Sequence, residues 1–403
     1  MPPALPAASD RALTQAIVLM ALAAFASGAS FRVSDPLLPQ VALDFATSVG
    51  AASAIVTAYA IPYGITQAFG GLIGDRLGKC QAVALACGVS ALLVLFCALA
   101  QSLPQLTLAR LISAPGAAII VPLGMAYVGD VVPYERRQTV LARFLAGQMS
   151  GVIAGQVAGG IIGDHYGWRA VFVVLAVLFA AASLALVSQF RRNAWMRPLF
   201  HAGAARPRMI PTYRRMLTTP WPRFIIIAVF LEGGIYFGAF TYVTADLHTR
   251  FDLSFSAVGL IIAAVGVGSV TYAGTVHHLV RAIGERGLVI GGGVVVMLAY
   301  LTLAFEPVWQ TAPIACAVLG FGYYMLHNTL QTNATQMLPD ATGMAVAGFS
   351  SALFLGQSAG VTLAALVVDR VGAVPVFVMA AIAWPVLAAW IWVRLGRRDL
   401  PPH

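Results

Sequence analysis

Residues 151–172 read Gly151-Val-Ile-Ala-Gly155-Gln156-Val-Ala-Gly159-Gly160-Ile-Ile-Gly-Asp164-His-Tyr-Gly167-Trp-Arg-Ala-Val-Phe172. The same frame returns 205 positions later, where Gly356, Gly360, Asp369, Gly372 and Phe377 repeat five of these residues. Coincident glycines alone would not also align an aspartate and a phenylalanine. The preceding loops match more loosely, as Val-Val-Pro133 and Met-Leu-Pro339. The chain therefore contains two related parts, and its composition decides what they are.

Of 403 residues, 60% are hydrophobic and 10% charged, with a mean hydropathy of +0.85. A soluble domain carries about 25% charged residues, and a folded surface needs polar cover. A soluble multi-domain enzyme is excluded, and so is disorder, which needs low hydrophobicity and high charge. The apolar residues, about 240, suffice for roughly twelve membrane helices of about 20 residues each. Spans are expected near 12–34, 51–73, 81–101, 105–129, 139–163, 170–190, 224–247, 256–280, 287–305, 309–336, 343–367 and 374–393. The first reads as an uncleaved helix, because its flank carries only Arg11 and the apolar run is long. The expected fold is all-α integral membrane, with twelve transmembrane helices in two six-helix pseudo-repeats. The halves are 1–190 and 224–403, joined by a basic linker, 191–223.

Charge adds a direction. The chain has 24 basic and 15 acidic residues, net +9. With a cytoplasmic N-terminus, nineteen basic residues fall inside and only Arg169, Arg250 and Arg370 outside, as the positive-inside rule requires. Eight of the nineteen are the arginines of Arg191–Arg223, a stretch without any acid. The excess charge is thus a topology signal, and no nucleic acid partner is expected. Cys80, Cys87, Cys97 and Cys316 lack paired metal spacing. No P-loop is present, since Gly78-Lys79 lacks the spaced glycine and the Ser or Thr that would follow. Neither a metal nor a cofactor is expected.

The loop after the second span reads Gly71-Leu-Ile-Gly-Asp75-Arg76-Leu-Gly78-Lys79. It resembles the signature loop of the major facilitator superfamily, usually written G-x-L-a-D-r-x-G-r-k. Span four, Leu106-Thr-Leu-Ala-Arg110-Leu-Ile-Ser-Ala-Pro-Gly116, is similar to the pattern that carries the proton-transfer arginine of twelve-helix drug:proton antiporters. Gly151, Gly155, Gln156, Gly159 and Gly160 resemble the antiporter motif of span five, with Gln156 where antiporters carry proline. The resemblance implies a proton-coupled secondary transporter, not an enzyme, working by alternating access. It implies that Asp75 and Arg76 hold the outward-facing state and that spans one, four, seven and ten line the cavity.

Within those spans an ionisable side chain is a functional candidate. Asp35 is expected at the external end of span one, at a break set by Pro36 and paired with Arg32 three residues earlier. Glu232 lies inside span seven, far in sequence from other charge, with Tyr236 four residues on. In span ten Tyr323, His327, Asn328 and Gln331 form a polar group, with His327 and Gln331 spaced to share a face. Asp35, Glu232 and Arg110 are the expected proton-coupling residues. Arg32, Tyr236, Tyr323, His327, Asn328 and Gln331 are expected to line the substrate cavity. The expectation is a monomer in the inner membrane, both termini cytoplasmic, exporting small amphipathic molecules against inward proton flow. The alternative is proton-coupled movement of a polar metabolite such as a sugar, organic acid or siderophore.

Overall fold

The computed structural model describes residues 10–196 and 209–397, except the side chains of 70–76, 134, 135 and 138. Among the described residues there is no strand. The helices are α1 (Asp10–Arg32), α2 (Leu38–Asp44), α3 (Val49–Ala52), α4 (Ala54–Leu77), α5 (Lys79–Ala98), α6 (Leu103–Val131), α7 (Tyr134–Tyr166) and α8 (Trp168–Gln189). After them come α9 (Met209–Thr218), α10 (Pro220–Phe240), α11 (Val243–Phe251), α12 (Phe255–Phe305), α13 (Ala312–Gln336), α14 (Thr342–Val371) and α15 (Val374–Gly396). Helix is what an apolar chain in lipid must form, because every backbone N–H and C=O then finds a partner in its own segment.

Ten helical stretches are long and apolar enough to cross a membrane among the described residues. The expected spans 256–280 and 287–305 both lie in α12, where two helices meet at a kink at Gly284 (φ 65°, ψ 177°). α13 is not among the ten, since Asn328, Gln331 and Asn333 lower its hydropathy.

The chain forms two compact units, residues 1–45 with 58–207, and residues 46–57 with 208–403. In the first unit α1 packs along α7, and α5 lies between α6 and α8. In the second, α10 packs along α14, and α12 lies against α13 and α15. The short segment 46–57, which carries α3 and starts α4, belongs to the second unit. Gly50 N–H donates to Asp369 Oδ1 at 2.9 Å and the Ser48 hydroxyl to Asp369 Oδ2 at 2.8 Å. The Tyr242 hydroxyl reaches Ser53 Oγ at 2.9 Å.

The 205-residue offset is visible in the packing. A Cβ at Gly151 would meet the Phe25 carbonyl oxygen at 2.1 Å, and one at Gly356 would meet that of Phe230 at 1.9 Å. Gly155 sits on Ala29 O and Gly360 on Gly234 O; Gly28 faces Gln148 O and Gly233 faces Leu353 O. Each pair and its partner are 205 residues apart, on the helices of the repeat and on the helices they touch. Small residues let two helix backbones come together where lipid supplies no hydrophobic drive between them. Gly167 (φ 80°) and Gly372 (φ 84°) follow α7 and α14 in a conformation that disfavours a side chain, which accounts for another repeated position.

Candidate functional site

In the first unit, α1 ends at Arg32, a single 3-10 turn covers Asp35–Leu37, and α2 resumes the helical path to Asp44. This corrects the expectation that Asp35 marks the external end of the span. Pro36 and Pro39 stand in first turns, where a missing N–H costs no helical bond. The path is therefore bent, not ended, and Asp35 is enclosed. Arg32 Nη1 donates to Asp35 Oδ2 at 3.2 Å, the pairing its spacing predicts. Gln156, on α7, is buried beside the Asp35 carboxylate. Its neighbour Gly155 brings α7 onto the Ala29 carbonyl and sets that approach. Arg110, on α6, is fully buried. Its guanidinium lies 3.8 Å from the Tyr59 ring centroid, and its Nη2 donates to the Ser30 carbonyl at 3.2 Å. The Tyr59 hydroxyl donates to Ser30 Oγ at 2.9 Å. Two buried guanidiniums and one buried carboxylate thus lie in the interior of this unit. Charge so placed is costly without partners, and here each is held by hydrogen bonds or an aromatic face.

In the second unit, Glu232 on α10 is 0% exposed and His327 on α13 is 7% exposed. His327 Nδ1 lies 3.1 Å from both Glu232 carboxylate oxygens and 3.1 Å from the Tyr323 hydroxyl. One ring nitrogen therefore has two competing partners. Carrying a proton, Nδ1 donates to the carboxylate. Without one, it accepts from the Tyr323 hydroxyl or from a protonated Glu232. The Tyr323 ring stacks on His327 at 5.0 Å and meets Tyr236 at 4.3 Å. Trp384 and Phe349 close the surroundings, at 5.7 Å from Tyr236 and 5.5 Å from His327.

The other expected residues scatter. Asn328 donates to the Tyr272 hydroxyl at 3.2 Å. Gln331 is exposed while His327 is buried, so the shared face does not bring them to one cluster. Gly71, Asp75 and Arg76 fall outside the described residues. Gly78 turns the chain with φ 85°, and Lys79 pairs with Asp130. Gly159 approaches Val33 O, and Gly160 is buried beside it. Sequence reasoning missed Tyr59, Phe349 and Trp384. Only the Tyr59–Tyr63 spacing of four residues, within a span, hints at a polar aromatic face. The described residues contain no group of three or more His, Cys, Asp or Glu able to hold a metal, and the four cysteines are buried and free.

Comparison with known proteins bears on the fold and the family. The sequence profile of the Major Facilitator Superfamily matches residues 20–361. Two relatives are from Bacillus subtilis, both uncharacterized MFS-type transporters. YfhI is 25% identical over 370 residues, covering 88% of this chain and 87% of its own length. YwfA is 28% identical over 295 residues, covering 71% and 70%. Among solved structures, a mutant of the peptide transporter POT superposes with a TM-score of 0.75 at 15% identity, covering 94% of each chain. A bacterial homolog of the human lysosomal transporter Spinster, inward-facing and unoccupied, gives 0.75 at 15%, covering 98% of this chain and 100% of that one. At such identity the structures speak for the fold, and the profile speaks for the family. With its repeated helix pairs and its charges buried inside spans, this multi-pass membrane protein is a secondary transporter, not an enzyme, and belongs to the major facilitator superfamily.

Proposed function

We propose that the protein is a proton-coupled antiporter that exports small amphipathic, drug-like molecules by alternating access. The reading rests on the Glu232–His327 pair, an acid and an imidazole sharing one ring nitrogen with Tyr323 inside a spanning segment. Such a pair holds a proton in more than one arrangement, and a proton that changes the partner of Nδ1 changes how α10 and α13 are tied. Asp35, with Arg32, Arg110 and Gln156 around it, is the second proton-coupling group. The aromatic lining of Tyr236 and Tyr323 suits a substrate with an apolar body. A proton entering down 100 mV supplies about 2.3 kcal/mol, enough for about fiftyfold concentration of substrate.

In this reading twelve spans form two halves, 1–190 and 224–403, with α12 counted as two spans and 191–223 as a cytoplasmic linker. The protein acts as a monomer in the inner membrane with both termini inside. A polar metabolite is the second reading. It is favoured by Gln156, which stands where antiporters carry proline and adds a polar group beside Asp35.

The test is transport by purified protein in proteoliposomes. Glu232→Gln is expected to abolish uptake driven by a pH gradient while leaving substrate counterflow intact. Transport indifferent both to the gradient and to Glu232→Gln would overturn the reading. Counterflow with cationic dyes beside organic acids separates the two substrate classes.

A further inference from the structure

The first unit holds a recess of about 460 Å³ between the start of α1, the junction of α6 and α7, and the segment after α8. Its wall on α7 carries Arg136, Thr139, Val140 and Arg143, the i, i+3, i+4, i+7 positions of one helix face. Opposite them stand Leu13 and Ile17 of α1. Trp195 forms the third side, and three side chains hold its segment in place. Asn193 donates to the Ala12 carbonyl at 2.7 Å, the Tyr127 hydroxyl to the Trp195 carbonyl at 3.0 Å, and Gln81 to the Met196 carbonyl at 2.8 Å. Trp195 is 7% exposed, yet its indole N–H has no acceptor among the described residues. Neither Arg136 nor Arg143 forms an ion pair among the described residues. The apolar spanning stretch of α7 begins at Thr139, so Arg136 precedes it and Arg143 lies one turn within.

The recess therefore has a donor-rich, cationic side and an apolar side, at the depth where a helix enters the bilayer. We propose that it binds one anionic phospholipid, its phosphate between Arg136 and Arg143 and its acyl chain along Leu13 and Ile17. Arginine suits a phosphodiester because its planar fork donates to two oxygens at once. The Trp195 ring, which lines the recess, stands beside both walls. A soluble phosphate would satisfy the arginines but leave the apolar wall uncovered, and a neutral lipid would do the reverse. This inference is independent of the transported substrate and of proton coupling.

The test uses full-length protein in vesicles of phosphatidylcholine, with or without brominated phosphatidylglycerol or brominated phosphatidylcholine at equal mole fraction. Bromine quenches nearby indoles, and subtracting the emission of Trp195→Phe isolates the signal of Trp195 from the other six tryptophans. A basic residue facing an anionic lipid at the interface is worth about fivefold in affinity, so the pair gives roughly 25-fold preference for phosphatidylglycerol. Arg136→Gln with Arg143→Gln should bring the preference close to unity, while Arg136→Lys with Arg143→Lys should retain most of it. Equal quenching by both brominated lipids in the wild type would overturn the proposal. So would a preference unchanged in the double glutamine variant. Relief of quenching by millimolar inorganic phosphate would identify a free-anion site instead and would equally overturn the lipid assignment.

Discussion

The repeated glycine frame makes a quantitative demand on two helix pairs at once. Replacing Gly356 by alanine puts a methyl carbon 1.9 Å from the Phe230 carbonyl oxygen and 2.7 Å from its carbon. Both atoms are backbone, so no side chain can turn aside, and α10 and α14 must separate by more than 1 Å to reach ordinary contact, which is about 3.5 Å. Overpacking of this kind costs about 1–3 kcal/mol. Alanine itself favours a helix over glycine by about 1 kcal/mol. Gly129→Ala and Gly343→Ala should show that gain unopposed, since the place a methyl would take at either glycine has no atom within 4 Å. The difference between Gly356→Ala and these controls is then about 1–3 kcal/mol, or roughly 2–10 °C in melting temperature for units of this size. Gly151→Ala should fall by a similar amount, because its methyl would meet Phe25 O at 2.1 Å. The readout is built in: Cys80, Cys87, Cys97 and Cys316 are buried and free, so a thiol-reactive dye reports unfolding. If Gly356→Ala and Gly151→Ala melt within a degree of Gly129→Ala, close backbone contact is not what the repeated glycines are for.

Two other perturbations test features outside that frame. Asp369→Ala removes the acceptor of the Gly50 amide and the Ser48 hydroxyl; a hydrogen bond to a charged group is worth about 1.5–3 kcal/mol, so deuterium exchange of the 49–52 amides should accelerate at least tenfold, and unchanged exchange would show that the carboxylate does not hold this segment. Glu306 is the second case: burial pushes its carboxyl above the ordinary 4.5, against the Thr311 hydroxyl and Arg250, with Asp246 adding to the rise. The folded state thus binds that proton more tightly than the unfolded chain, and its stability contribution falls as pH rises from 4.5 through the raised value. Melting curves between pH 4 and 8 should show a decline that Glu306→Gln reduces, and parallel wild-type and variant profiles would refute the assignment.

Much of this is legible in the sequence because membrane helices leave few alternatives. An arginine or glutamate inside a span has to be enclosed, and Arg110 and Glu232 are. Spacing alone predicts that Arg32 and Asp35 pair, and they do. What sequence does not supply is which residues from other helices meet these charges. Tyr59 lies under Arg110 and His327 beside Glu232, separated by 51 and 95 residues, and no periodicity connects them. Helical spacing is also too permissive. His327 and Gln331 are four apart, yet one faces the interior and the other is exposed, since a shared face is about 100° wide and covers both sides of a burial boundary. Proline reads as an end where the chain only bends, because the residues after Pro36 and Pro39 resume a helix that neither ring obstructs.

The same offset also separates what duplication kept from what it released. Positions where backbones touch are preserved as small residues or their carbonyl partners: Gly151 with Gly356, Gly155 with Gly360, Gly28 with Gly233, Phe25 with Phe230. Positions that carry buried charge are not. Glu232 corresponds to Ser27, Arg32 to Phe237, Asp35 to Phe240 and Gln156 to Val361. Ser27 is buried and donates to the Ala117 carbonyl at 2.8 Å, so the first unit fills with a neutral hydroxyl the place where the second has an acid. The contrast follows from the two kinds of constraint. A carbonyl about 2 Å from where a Cβ would stand admits almost no substitution, because the whole helix pair would have to move. A polar position inside a span admits any residue whose hydrogen bonds or charge can be met locally, and each unit meets a different one. One unit buries two guanidiniums and a carboxylate, the other a carboxylate against an imidazole. Residues that differ at matched positions of the helices carrying the repeat are therefore where the two units can do different chemistry, and the frame that holds them there is common to both.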